Sequence, residues 1–131
     1  MLAVAEGVKF IDVPAVVCAT LRASALLTGL YVGTTVPPTR PAEFFRVLRT
    51  GGAKETVRSE AAQITVEAWA GSEARASDLL STARAILNAA DAQLFGVREF
   101  SGPANLPDPT TAQIRFTMSF QIRARGTVVT V

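Results

Sequence analysis

The clearest pattern in the chain is an alternation near its end. Ile114, Phe116, Met118, Phe120, Ile122 and Ala124 interleave with Arg115, Thr117, Ser119, Gln121, Arg123 and Arg125. A period of two sends successive side chains to opposite faces, so the segment predicts a long strand with one core face and one polar, partly basic face. A second alternation sets Ala62, Ile64, Val66, Ala68 and Ala70 against Gln63, Thr65, Glu67 and Trp69. It predicts another half-buried strand. Trp69 falls on the polar side, which fits either cover by a neighbouring element or contact with another subunit.

Two segments carry helical spacing. Asp12 ahead of Val13 and Pro14 reads as an N-cap followed by an early-turn proline. Val13, Val16, Val17, Leu21 and Ala25 then recur at helical intervals to about Thr28, with Gly29 as the stop. Further on, Ser72 caps a longer helix and Glu73 complements its N-terminal dipole. Leu79, Leu80, Ala83, Ile86, Leu87 and Ala90 make one apolar stripe there, with Arg75, Asp78, Arg84, Asn88 and Asp91 largely off it.

The remaining segments are shorter. "LYVGTTV" (30–36), "EFFRVLRT" (43–50) and "LFGVREF" (94–100) read as strands. Pro37, Pro38 and Pro41 make the link between the first two a turn or an edge, because proline has no ladder donor. Gly51 and Gly52 are expected to end the second. Phe44 or Phe45 anchors it in the core, and the broken alternation leaves the choice open. "AKETVRSEA" (53–61) and "SGPANLPDPTTA" (101–112) read as polar loops. Residues 1–9 and 126–131 read as flexible ends. The order of elements predicts one α+β domain over residues 1–131, a mainly antiparallel sheet with two helices packed on one face.

Composition narrows the chemistry. The 131 residues are 49% hydrophobic and 18% charged, which suits one globular domain. Net charge is only +2, and Lys9 and Lys54 are the only lysines, so the arginine content is not read as a nucleic-acid footprint. There is no histidine and one cysteine, which excludes His-dependent triads, His-metal sites, two-cysteine zinc sites and an intrachain disulfide. Cys18, beside Val16, Val17 and Ala19, reads as a small buried hydrophobe. No phosphate-cradling glycine motif occurs. Glu55 and Glu60 read as solvated loop carboxylates. The first residues do not read as a secretory signal, and no apolar run approaches the roughly 20 residues of a membrane span. The expectation is a protein without catalysis, cofactor, metal or membrane contact.

Three stretches carry a family resemblance: "VPPTRPAEFFRVLRTGG" (36–52), "AQITVEAWAGSEARASDLLSTARAIL" (62–87) and "LPDPTTAQIRFTMSFQIRAR" (106–125). Together they resemble the tail terminator proteins of long-tailed, siphovirus-type bacteriophages, above all those of actinobacteriophages, over roughly residues 10–125. In that family a Pro-led strand, a variable loop, an alternating strand ending in an aromatic residue, an Ala-rich helix and a Pro-Asp-Pro loop lead to a long final strand. The resemblance implies a tail-terminator-like fold and a homohexameric ring on the head-proximal end of the tail tube. Such a ring stops tube polymerisation and offers a surface to the head-completion or neck protein. Genomic DNA passes through its lumen without specific binding. The location implied is the neck region of the virion tail, after assembly in the bacterial host cytoplasm, with no cofactor.

On this reading the candidate interface residues are Arg46, Arg49, Lys54, Arg58, Trp69, Arg115, Arg123 and Arg125. Arg46 and Arg49 are expected to pair with carboxylates such as Glu67 or Glu99 of a neighbouring chain. Residues 51–60 and 101–113 are the flexible polar segments expected to meet partners. The alternatives are another neck or head–tail connector protein, or a small nucleic-acid-binding module using the basic face of the last strand. That strand face carries no stacking aromatic.

Overall fold

The two alternating segments become the centre of a six-stranded sheet. The computed structural model describes residues 5–90 and 94–131. In chain order the elements are β1 (Glu6–Phe10), α1 (Val13–Arg22), a single 3-10 turn (Ala25–Leu27), β2 (Tyr31–Gly33) and β3 (Phe44–Thr56). These are followed by β4 (Ser59–Trp69), α2 (Glu73–Ala89), β5 (Leu94–Asn105) and β6 (Arg115–Thr130). The sheet runs β1-β6-β4-β3-β2, and β5 lies along β6 as well. Only β2 and β3 are parallel, so the sheet is mixed and sheet-dominant α+β describes the fold.

Both predicted helix starts have the expected chemistry. The Asp12 carboxylate accepts from the Ala15 N–H, and Ser72 Oγ accepts from the Arg75 N–H at 3.1 Å. The first helix ends sooner than its spacing suggests. Ala23 caps it, Ser24 turns extended, and Ser24 Oγ then caps the 3-10 turn. The Arg22 guanidinium fastens the helix end to the sheet by donating to the Val32 carbonyl.

Both helices pack on one face of the sheet. Val13, Val17, Cys18 and Leu21 from α1 and Ala76, Leu79, Leu80, Ala83 and Leu87 from α2 meet Ile64, Val66, Met118, Phe120 and Ile122. All of these are buried. Burial also pushes the Cys18 thiol pKa up, away from the reactive range. Of the expected helix stripe, Ile86 and Ala90 pack against the core only partly, while Ala76 joins it fully. Asp91 lies outside the described residues.

The sheet is longer than the sequence pattern predicts. Gly51 and Gly52 do not end β3. They carry it through a bulge with φ values of 152° and 133°, a region closed to other residues. A Cβ on Gly52 would stand 2.4 Å from the Ala61 carbonyl oxygen. Residues expected to loop therefore form a hairpin, with Lys54 opposite Glu60 and Thr56 opposite Ser59. β5 likewise continues through Pro103 to Asn105, broken by register shifts. The segments read as flexible ends also pair: Glu6 through Phe10 lie antiparallel to Gly126 through Thr130. Local polarity hid these strands because their partners, not their own side chains, hold them.

Phe120 marks the centre of the core, between Ile64 on β4 and Glu99 on β5. It is fully buried. Phe120→Ala should lower unfolding free energy in urea titrations by about 3–5 kcal/mol, the usual loss for a core Phe. Val57→Ala, at the exposed hairpin turn, should stay within about 0.5 kcal/mol of the wild type.

Candidate functional site

The face of the sheet away from the helices holds most of the candidate residues, and strand register sorts them into rows. The first row is Tyr31, Phe44, Trp69 and Arg115, direct neighbours across β2, β3, β4 and β6. Tyr31 meets Phe44 edge-on, with centroids 6.4 Å apart, and Phe44 stacks on Trp69 at 5.0 Å. The Arg40 and Arg115 guanidinium carbons lie 5.1 and 5.3 Å from the centre of the Trp69 ring. Phe44 and Phe45 are therefore both anchors, on opposite faces: Phe45 joins the helix-side core and Phe44 this row.

The second row is an ion cluster. Glu67, buried, accepts from Arg46 Nε on one oxygen at 2.5 Å and from Arg115 Nη1 on the other at 3.1 Å. The third is a chain of hydroxyls, Thr50 to Thr65 at 3.2 Å and Thr65 to Ser119 at 2.9 Å. Beyond it Gln63 faces Gln121, and Arg123 pairs with Glu55 at 2.8 Å. The face thus grades from aromatic and closed at one end to polar and open at the other.

Residues 106–114, a strap between β5 and β6, close the aromatic end. Leu106 exchanges two hydrogen bonds with Arg115: the Leu106 N–H donates to the Arg115 carbonyl, and Arg115 Nε donates to the Leu106 carbonyl. Asp108 organises the strap. Its carboxylate accepts from the Thr111 hydroxyl at 2.6 Å, the Thr110 N–H at 3.2 Å and Arg40 Nη1 at 3.2 Å. These bonds, Thr111 first, pull the Asp108 pKa from 3.8 down to about 2.

Several expected interface residues are occupied within the chain. Arg46 binds the Glu67 of its own chain, and Glu99 is held by Arg84 and Asn88. Arg49 makes two parallel bonds of 3.0 Å to Glu60 across the hairpin. Within one chain both arginines already have carboxylate partners, because strand pairing delivers Glu67 to Arg46 and Glu60 to Arg49. Glu55 and Glu60, read as free loop acids, are ion-paired strand residues. Trp69 is 2% exposed, so of its two readings cover by neighbours applies.

Lys54 and Arg58 remain on the exposed hairpin and have no ion pair among the described residues. Arg58 and Arg125, with Thr56, Ser59 and Gly126, border a shallow cleft of about 380 Å³ at the hairpin tip. Among the described residues, no three His, Cys, Asp or Glu side chains gather where a metal could bind, and no helix is long and apolar enough to cross a membrane. Arg40, Asp108 and Gln113 were not anticipated as members of this face. The signal for Asp108 is the sequence Asp-Pro-Thr-Thr, in which an aspartate caps its own turn. Nothing local announces Arg40, which reaches Asp108 across 68 positions of chain. The sequence matches no family model and no curated protein.

Two measurements test this geometry. Glu67→Ala strands two guanidinium groups and should cost about 3–5 kcal/mol in urea unfolding, the usual loss when one member of a buried ion cluster is removed. Glu99→Ala removes a more exposed partner and should leave the midpoint nearly unchanged. The depressed pKa of Asp108 also fixes a pH window. Its contribution is complete above its ordinary value of 3.8 and is lost as pH falls through about 2. Carboxyl-carbon NMR should give Asp108 a midpoint near 2, and a midpoint near its ordinary value would contradict the strap geometry.

Proposed function

We propose that the protein is a structural subunit of the tail-terminator type. Six copies form a ring on the head-proximal end of a phage tail tube, end its polymerisation and present a surface to the neck protein. Genomic DNA passes through the lumen without specific contacts. The ring works in the neck of the virion and is assembled in the host cytoplasm.

The observation that carries this reading is the hairpin arm. Positions 49–58 are all exposed, yet most lie in paired strands that run past the helix-covered core. Its β4 half is paired with β6 as far as Ser59, while its β3 half forms an exposed edge that carries Lys54 outward, with Val57 and Arg58 at the turn. A polar, exposed strand edge and turn of this kind suit contact with a second macromolecule. Closed rings need head-to-tail contacts between unlike surfaces, and an arm meeting the body of the next copy is such a contact. Ending a polymer also requires a face that accepts no further tube subunit, so the two faces of the ring must differ. Two arginines of the last strand are already paired with Glu67 and Glu55, which weakens the nucleic-acid reading of that face.

The test is to mix the purified protein with tail tubes and image them by negative stain. Rings should sit on tube ends. Replacing residues 53–58 by a two-residue turn should keep the circular dichroism of a folded domain but abolish capping and give tails of irregular length. Uniform tails with the shortened arm would overturn the arm's role. Rings found only at the head vertex would make the protein a head–tail connector instead.

A further inference from the structure

The strap joins three observations that the ring reading does not use. First, the indole N–H of Trp69 is buried and has no hydrogen-bond partner among the described residues. A buried donor left unpaired is unfavourable, and such groups are rare in settled cores. Second, Ala112 in the strap has φ 58°, a left-handed conformation that costs a residue bearing a Cβ. It is held there by the bond from the Ala112 N–H to the Asp108 carbonyl, at 2.7 Å. Third, the strap's anchorage is polar. Between 106 and 112 only Asp108 is buried, and Leu106, its large apolar side chain, is 51% exposed.

Both guanidinium groups over Trp69 are gripped by this strap. Arg40 donates to Asp108 Oδ2 and to Gln113 Oε1 at 3.1 Å, and Arg115 donates to the Leu106 carbonyl at 2.8 Å. Arg115 is also held from the sheet, by its strand pairing and by Glu67, whereas among the described residues the hydrogen bonds of the Arg40 guanidinium go only to Asp108 and Gln113 of the strap. Below the indole the situation is different. Trp69 is in register with Phe44 and Arg115 on fully paired strands, and Ala70 is tied to the Ile114 carbonyl.

We propose that residues 106–113, together with Arg40, form a hinged cover over Trp69 that opens locally while the sheet, Arg115 included, stays folded. Segments with few buried apolar contacts open at lower free energy than the core they lie on. Opening lets Ala112 leave its left-handed conformation and gives the indole N–H an acceptor. It also uncovers the edge and face of the Trp69 ring, a donor and a flat apolar surface that the closed state hides. Asp108 is the latch, since it fixes the strap's turn and Arg40 at once. The inference does not depend on ring formation.

Trp69 is the only tryptophan, so its indole N–H gives a single NMR signal. Native-state hydrogen exchange on the full chain should show this proton exchanging at least ~10-fold faster than the amides of Ile64 and Val66, with little response to low urea. Asp108→Ala should speed it by roughly another 10-fold while leaving those amides unchanged. Equal rates and equal urea dependence for the indole and the two amides in the wild type would overturn the proposal. A folded Asp108→Ala protein with unchanged indole exchange would overturn the latch. If that variant does not fold, the wild-type comparison alone decides.

Discussion

The structure turns on β6, a strand paired on both edges through most of its length and different on its two faces. Between Phe116 and Ala124 it lies between β4 and β5, and beyond Gly126 it holds β1. One face supplies Met118, Phe120 and Ile122 to the helix-side core. The other supplies Arg115, Thr117, Ser119 and Gln121 to the helix-free face. A slip of one residue would exchange those sets, putting phenylalanine where Glu67 needs a guanidinium and arginine under α2. The register is therefore fixed twice, by apolar burial on one side and by charge on the other.

The helix-free face closes without a covering helix or second sheet. At its aromatic end, Phe44 and Trp69 are shielded by arginines and a strap; in the next row Glu67 is buried between two guanidinium groups. Taking those charges out of water is unfavourable, and the geometry recovers the loss only because strand pairing places both arginines on separate carboxylate oxygens. The polar rows are thus selective for one arrangement of β3, β4 and β6. Toward the hairpin the face opens, and only exposed pairs such as Arg123 with Glu55 remain.

The parts legible in the sequence were those set by a side chain's own neighbours along the chain. The alternations at 62–70 and 114–124, the caps at Asp12 and Ser72 and the stripe from Leu79 to Leu87 all became the expected elements. What stayed hidden was set by partners far away. Residues 53–56 and 59–61 look like loop yet form a hairpin, because each strand meets a partner whose backbone completes the ladder. The double glycine resembled a stop because glycine often ends a strand, whereas here it permits a bulge inside one. At the candidate site the residue types were readable but the pairings were not. Arg46 and Glu67 stand 21 positions apart, and Arg115 and Glu67 48 apart. No local pattern signals that Glu67 meets Arg46 from its own row and Arg115 from the row beside it.

Every ion pair among the described residues uses arginine as its cation. A guanidinium keeps its charge throughout the range in which proteins work, and the chain has no imidazole to titrate near neutrality. The shifted carboxylates, Glu43, Glu99 and Asp108, move further from neutrality, not toward it. Neutral pH is thus not a point toward which any of these three shifted carboxylates moves.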